Sequence, residues 1–302
     1  MQIGVIDIGG TSIKYGIASD EGELFSLDSI PAEAYKGGPF IVEKVKMICD
    51  VLLKQARVEG IAISSAGQID NQNGTVVHAT DNIPGYTGTR LAEFISKHTG
   101  LPVTVENDVN CTALGEYWQG AAKDTDDFLC VTIGTGIGGA LFLNGKLYTG
   151  ANFSAGEIGH INLYPNGKPC TCGNNGCYER YASSSALSEQ VEERMGVNLP
   201  LEKFFELARE GNKEAYNLFV QWADDVATGI QSLVHIFNPE LVLIGGGISA
   251  QGDFLLQEIQ SSLAKKVMPN HWKSLRLRIA AHENKANLLG AAKHFLDMNR
   301  KS

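Results

Sequence analysis

The chain opens on an apolar run from residue 2 to Asp7, breaks at Ile8-Gly9-Gly10-Thr11 and resumes through Lys14-Tyr15-Gly16-Ile17-Ala18. That pattern predicts two strands joined by a glycine turn. The turn Asp20-Glu21-Gly22 leads to a third strand around 24–30. Over 39–56 the period changes: Ile41, Val45, Ile48 and Leu52 recur at helical spacing with Lys and Glu between them. Residues 60–64 return to the sheet as a buried parallel strand, and 88–98 form a short amphipathic helix carrying Leu91, Phe94 and Ile95. A strand at 102–105 ends in Glu106-Asn107-Asp108, with Asp108 where a helix N-cap would stand ahead of 109–117.

The second half restarts in the same way. A strand at 128–133 meets the glycine turn 134–139, and a returning strand follows at 140–143. A Cys- and Gly-rich insertion covers about 150–180. Helices are predicted near 184–195, 200–210 and 213–237, then a strand at 241–244 running into Gly245-Gly246-Gly247, and a helix near 252–267. A strand at 275–280 and a closing helix at 286–298 complete the pattern. Strand, glycine turn, strand thus occurs twice, which predicts two related α/β domains facing each other across a cleft. With 302 residues the chain is about twice the usual domain length of ~150. The expected division is a smaller N-terminal domain, 1–118 plus 286–302, and a larger C-terminal one, 119–285.

Composition narrows the function. Hydrophobic residues make up 43% and charged residues 20%, as in ordinary globular domains, but glycine is in excess, at 34 of 302. A net charge of −9 argues against nucleic-acid binding, which needs a basic footprint. The N-terminus lacks the basic segment and uninterrupted apolar run of a signal peptide. The uncharged stretch 128–145 is broken by five glycines, so two strands explain it better than a membrane span. The expected location is the cytoplasm. There Cys49, Cys111 and Cys130 suit buried small hydrophobes, whereas Cys170, Cys172 and Cys177 crowd into eight residues.

Three glycine loops each follow an apolar strand: Gly9-Gly10-Thr11, Gly134–Gly139 and Gly245–Gly247. Glycine there lets backbone N–H groups converge on phosphate oxygens, so three such loops point to a nucleotide site. The G-x-G-x-x-G match at 134–139 leads into a strand where a dinucleotide fold needs a helix, and no P-loop or protein-kinase signature is present. His160 with Cys170, Cys172 and Cys177 offers four ligands that suit tetrahedral zinc, the alternatives being free thiols or a disulfide. Asp7 precedes a phosphate-type turn, where it could hold a Mg²⁺-bound water or be a hydrogen-bonded strand end. Asp108 is either a general base or only a helix cap. Glu157, His160 and Glu179 suit a wet cleft for a polyhydroxylated ligand and equally a solvated face.

DIGGTSIK (7–14), IGTGIGG (133–139), EIGH (157–160), CTCGNNGCYE (170–179) and LIGGGIS (243–249), in that order, resemble the ROK family of sugar kinases and sugar-responsive repressors over nearly the whole chain. The resemblance implies the duplicated actin/hexokinase-like (ribonuclease H-like) α/β fold, two domains around a central cleft, with the final helix packed on the first domain. It implies ATP-dependent phosphorylation of a hexose hydroxyl, the 6-hydroxyl by preference, with Asp108 as general base. Gly67, Asn82, Asn107, Glu157, His160 and Glu179 fall at its sugar-binding positions. Asp7, Gly9, Gly10, Thr11, Gly134, Thr135, Gly136 and Gly138 fall at its phosphate loops, and Gly245, Gly246 and Gly247 at its adenosine loop. His160, Cys170, Cys172 and Cys177 match a structural zinc site, and Mg²⁺ is the expected cosubstrate metal. A homodimer is the expected assembly. Ala66-Gly67 stands where many members have Pro-Gly, and Tyr86 where they have Trp; the loop 63–86 resembles that of bacterial β-glucoside kinases. A sugar-sensing regulator or a non-catalytic sugar-binding protein is the alternative. The regulator would need a helix-turn-helix ahead of the strand expected at residue 2, and the idle binder would not need Asp108 with two intact phosphate loops.

Overall fold

The computed structural model describes residues 1–282 and 285–299. In chain order, the first part contains β1 (Gln2–Ile8), β2 (Ser12–Ser19), β3 (Leu24–Pro31), α1 (Gly38–Gln55), β4 (Ile61–Ser65), β5 (Gln68–Asp70), β6 (Thr75–His78), α2 (Leu91–Thr99), β7 (Val103–Asn107) and α3 (Asp108–Gln119). There follow β8 (Phe128–Ile133), β9 (Ile137–Leu143), β10 (Lys146–Tyr148), α4 (Glu179–Ala182), α5 (Ser184–Met195), α6 (Leu201–Arg209) and α7 (Lys213–Phe237). Last come β11 (Leu241–Gly245), α8 (Asp253–Leu263), α9 (Pro269–Trp272), β12 (Arg276–Ile279) and α10 (Ala286–Asn299).

The chain divides into two compact units. One takes Met1–Asp124, Lys146–Ala155 and the described residues 285–299; the other takes Thr125–Gly145 and the described residues 156–282. The sequence had suggested a boundary at 118/119; the residues 283, 284 and 300–302 of its two domains lie outside the described residues.

In the first unit the sheet order is β3-β2-β1-β4-β7. β1 runs antiparallel to β2 and parallel to β4, and β4 runs parallel to β7. A parallel strand covered on both faces needs apolar residues on both, and β1 supplies them in alternation. Ile6 and Ile8 pack with Ile41, Val45, Ile48 and Leu52 of α1. Ile3 and Val5 pack with Cys111 of α3 and with Leu288, Ala291 and Phe295 of α10. Because successive side chains alternate faces, Asp7 emerges on the α3/α10 side. The register pairs Asp7 with Ser64, Ser64 with Glu106 and Ser65 with Asn107, so three parallel strands bring their polar ends to one edge. Ligands of open α/β sheets bind beyond the carboxyl ends of the strands.

The last helix packs back on this unit, against α3, β1, β4 and β7. Glycine makes the closeness of α3 and α10 possible: a Cβ on Gly290 would overlap the Cys111 carbonyl oxygen, and one on Gly115 the Ala286 carbonyl. The stretch after β4, a loop by sequence, folds into the β5–β6 hairpin. Strands of three and four residues are too short to show alternation.

In the second unit β9, β8, β11 and β12 are neighbours in that order, with β8 antiparallel to β9 and parallel to β11. Its helical layer is built around α7, capped by Asn212, whose side chain accepts from the amides of Glu214 and Ala215. Phe204, Phe205, Phe219 and Trp222, all fully buried, form its aromatic centre. α8 ends at Leu263, four residues before the expected 267.

Gly290→Ala forces α10 away from α3 or strains both backbones. The expected cost is about 1–3 kcal/mol of stability, read as a lowered Tm, whereas Gly100→Ala, whose Cβ would meet nothing within 4 Å, should cost only the strain of its φ of +72°.

Candidate active site

The corner between β7 and α3 is where the first unit gathers its polar chemistry. Asn107, with φ −62° and ψ 147°, is the N-cap of α3, and its Oδ1 accepts from the amides of Val109 and Asn110. The sequence had placed the cap one residue later, at Asp108. Both residue types cap helices well, so only the backbone decides between them. Asp108 is consequently the first helical residue. Its Oδ1 accepts from Asn107 Nδ2 and from the Val109 amide, each at 2.9 Å. Oδ2 has no protein partner among the described residues. Burial, with Asp7's negative charge adding to it, pushes the Asp108 carboxyl up to about 7 against the pull of these hydrogen bonds. Such a group exchanges a proton near neutrality, which is what a general base needs.

Asp7, 5% exposed, accepts from Ser64 Oγ at 2.7 Å and from Asn287 Nδ2 at 3.1 Å. Burial raises its pKa, and the two hydrogen bonds oppose that rise. Asn287 in turn accepts from Thr112 Oγ1 at 2.5 Å, so α10 is tied to both α3 and the end of β1. Ser64 and Asn287 were not singled out from the sequence; a lone Ser in an apolar strand and an Asn in a closing helix carry no spacing signal. Beyond Asp7 the turn opens: Gly10 and Thr11 are exposed, and a Cβ on Gly10 would meet nothing within 4 Å. Gly67 has φ +98° and its carbonyl accepts from Asn107 Nδ2 at 2.9 Å. Asn107, expected at the sugar, therefore has both ends of its carboxamide engaged by the protein. Asn82 is exposed on the turn before Tyr86, which is buried and hydrogen-bonded through its hydroxyl to Ser65 Oγ at 2.8 Å.

In the second unit two glycine loops adjoin. The register of β8 with β11 sets Gly245 opposite Thr132, and a Cβ on Gly246 (φ +83°) would overlap the Ile133 carbonyl. Only glycine lets the loop 245–247 lie against the start of the loop 134–139. Gly134 and Gly247 have nothing within 4 Å of a Cβ, and Thr135 is exposed. Gly136 differs: its Cβ would stand 2.8 Å from Glu179 Oε2. Gly138 lies in β9, opposite Thr132. Glu157 is exposed, just ahead of the tight turn Ile158–His160, whose Gly159 packs on the Ile137 carbonyl.

His160, Cys170, Cys172 and Cys177 offer ligand atoms that all lie within 4.8 Å of one another. Cys172 Sγ is 3.5 Å from Cys177 Sγ, and Cys170 Sγ is 3.6 Å from His160 Nδ1. Tetrahedral zinc, with Zn–S of ~2.3 Å and Zn–N of ~2.0–2.1 Å, sets its ligands about 3.5–3.8 Å apart, so these residues fit that ion. Glu179 joins the cluster to the glycine loop. Its Oε1 accepts from Cys170 Sγ at 3.3 Å and lies 3.8 Å from His160 Nδ1, while its Oε2 faces Gly136. Among the described residues, no helix is long and apolar enough to cross a membrane.

Two units, each built on a strand–glycine turn–strand hairpin feeding a mixed sheet, define the duplicated actin/hexokinase-like fold of sugar kinases. The sequence profile of the ROK family matches residues 3–298. A glucokinase of Thermotoga maritima is 31% identical over 301 residues, covering 95% of each chain. A beta-glucoside kinase of Listeria monocytogenes is 33% identical over 308 residues, covering 98% of each. A ROK family glucokinase from Streptomyces griseus, solved in complex with glucose and AMPPNP, superposes with a TM-score of 0.86 over all of both chains at 31% identity. The chain belongs to the ROK family and is a sugar kinase.

The raised pKa of Asp108 also makes a statement about stability. Its folded value lies above the unfolded one, so stability present at low pH is lost as pH rises from about 4 through 7. Asp108→Asn removes that ionisation. The variant should melt above wild type at pH 8, with the gap closing toward pH 4; a gap that does not change with pH would contradict the shift.

Proposed function

We propose that this chain transfers the γ-phosphoryl group of ATP to the 6-hydroxyl of a hexose or hexose derivative, with Asp108 as general base. The observation that carries this reading is the state of Asp108: one carboxyl oxygen held by two donors, the other open, and a proton affinity near neutrality. As the sugar oxygen bonds to the γ-phosphorus, its proton passes to Asp108 Oδ2 and the bond to the bridging oxygen breaks, releasing ADP. Phosphoryl transfer has a loose transition state, so positioning and charge neutralisation by the loops and Mg²⁺ supply most of the acceleration.

The remaining roles follow from position. Asp7, with the open turn at Gly9, Gly10 and Thr11, suits a water of the Mg²⁺ that accompanies ATP. Gly134, Thr135, Gly136 and Gly138 suit the phosphates, and Gly245, Gly246 and Gly247 the adenosine. Gly67, Asn82, Glu157, His160 and Glu179 face the sugar in this reading. Asn107 holds Asp108 and Gly67 and acts on the sugar through them. Zinc at His160, Cys170, Cys172 and Cys177 would supply rigidity to the 150–180 segment and no chemistry, because four protein ligands close its coordination. Six cysteines, none of them in a disulfide, and ATP as donor fit a reaction in the cytoplasm.

An ADP-release assay over glucose, fructose, an N-acetylated hexosamine and a β-glucoside, with the product's phosphate located by NMR, tests the reaction. At least one should give a 6-phosphate, and Asp108→Asn should lower kcat for it by ~10²-fold or more with the KM for ATP near wild type. No accepted sugar, or a variant with normal kcat, contradicts the reading. For the loop, Gly134→Val is a cleaner probe than a change at Gly136, which would also displace Glu179; it should weaken ATP binding much more than sugar binding by calorimetry. For the metal, purified protein should hold about one zinc per chain, and Cys172→Ser should lose it and melt at a lower temperature.

A further inference from the structure

The residue before the Asn107–Asp108 pair has no part in the mechanism above, yet it is the most heavily hydrogen-bonded buried carboxylate at that corner. Glu106 is 1% exposed. Its Oε1 accepts from the Asn107 amide at 2.7 Å and from Asn110 Nδ2 at 3.0 Å. Its Oε2 accepts from Asn71 Nδ2 at 2.6 Å, and His294 Nδ1 of α10 lies 4.0 Å from the same oxygen. A carboxylate withdrawn from water this far is retained only with donors on both oxygens, and here the donors come from separate pieces of chain. Asn110 lies in the first turn of α3, and Asn71 lies in the turn between β5 and β6.

The Asn71 bond is the informative one. The β5–β6 hairpin begins just after Gly67, whose carbonyl is held by Asn107 Nδ2 at 2.9 Å. One end of the hairpin is thus tied to Asn107 and its turn to Glu106. The same two residues set the start of α3 and with it the Oδ1 of Asp108. We propose that Glu106 is a positioning residue for this reaction, locking the β5–β6 hairpin and the Asp108 carboxylate into one rigid acceptor-side unit through its bond to Asn71. The inference rests on the reading of Asp108 as base. Glu106 acts through its neighbours: with its carboxylate engaged by three donors it has no role as a second base.

Exchanging the two polar partners separates this role from general stability. Glu106→Gln keeps an acceptor for the Asn107 amide and Asn110, and the Asn71 carboxamide can turn over to meet its NH₂ with Oδ1, so this variant alone should keep most of the activity. Asn71→Asp keeps length but sets two carboxylates face to face. Glu106→Gln with Asn71→Asp restores a donor and an acceptor with the direction reversed. Asn71→Asp should lose roughly ten- to a hundredfold in kcat toward the accepted sugar, the scale set by a misplacement near 1 Å. The KM for ATP should stay near wild type, and the double variant should regain at least about tenfold, since residues in contact are coupled. Asn71→Ala, at a half-buried turn, removes that donor without adding a charge and should show the same kcat loss.

Asn71→Asp with normal kcat, or a double variant no better than Asn71→Asp, overturns the proposal, as does Asn71→Ala with full activity if the others fail to fold. Melting temperatures measured alongside identify a purely structural effect: kcat at a temperature well below every midpoint would then be unaltered. Asp108→Asn distinguishes the two levels. If it is inactive while Asn71→Asp is not, the positioning role falls and the base stands; if it is active, the base assignment falls first.

Discussion

Asn107 closes two hydrogen-bonding requirements at once, and the acceptor side of the first unit depends on it. Its carboxamide oxygen caps α3 at the Val109 and Asn110 amides, and its NH₂ reaches both Gly67 and Asp108. A helix N-terminus without such a cap would leave the Asn110 amide unsatisfied. Because the cap is Asn107, Asp108 falls on the first helical position, with one oxygen held and the other open.

The sheet decides where this corner stands. Parallel register sets Asp7, Ser64 and Glu106 side by side, and the alternation of β1 sends Asp7 to the face covered by α3 and α10. Burial, with the negative charge of Asp7 adding to it, is how Asp108 reaches about 7 with hydrogen bonds pulling the other way. Asn287 and Ser64 keep Asp7 satisfied in that setting. Close packing of α10 through Gly290 against Cys111 is what brings Asn287 within reach, so a residue near the C-terminus completes a site that begins at residue 7.

Much of this was legible in the sequence, for physical reasons. Apolar runs ending in glycine exposed both hairpins and the three loops, because strands buried on two faces cannot disguise their composition. The crowded cysteines and His160 stood out by spacing, and the fold brings their four ligand atoms within 4.8 Å of one another. What could not be read was the outcome of choices between equals. Asn107 and Asp108 both cap helices; Gly134 and Gly136 look alike until Glu179 is found against only one of them. Ser64, Asn71, Glu106 and Asn287 act through partners tens to hundreds of positions away, and no local pattern marks a long-range hydrogen bond. The β5–β6 hairpin escaped because its strands are shorter than the period that would reveal them.

We propose that Asp108, its carboxyl pushed up to about 7, takes the sugar's proton. The pH dependence of kcat/KM for the accepted sugar, at saturating ATP and Mg²⁺, tests it directly, since that ratio reports ionisations of the enzyme form that meets the sugar. Activity should rise with pH through a single ionisation near 7, and the residual activity of Asp108→Asn should show no such limb. A limb at the ordinary carboxylate value of about 4, or one near 7 that survives in Asp108→Asn, would contradict the account.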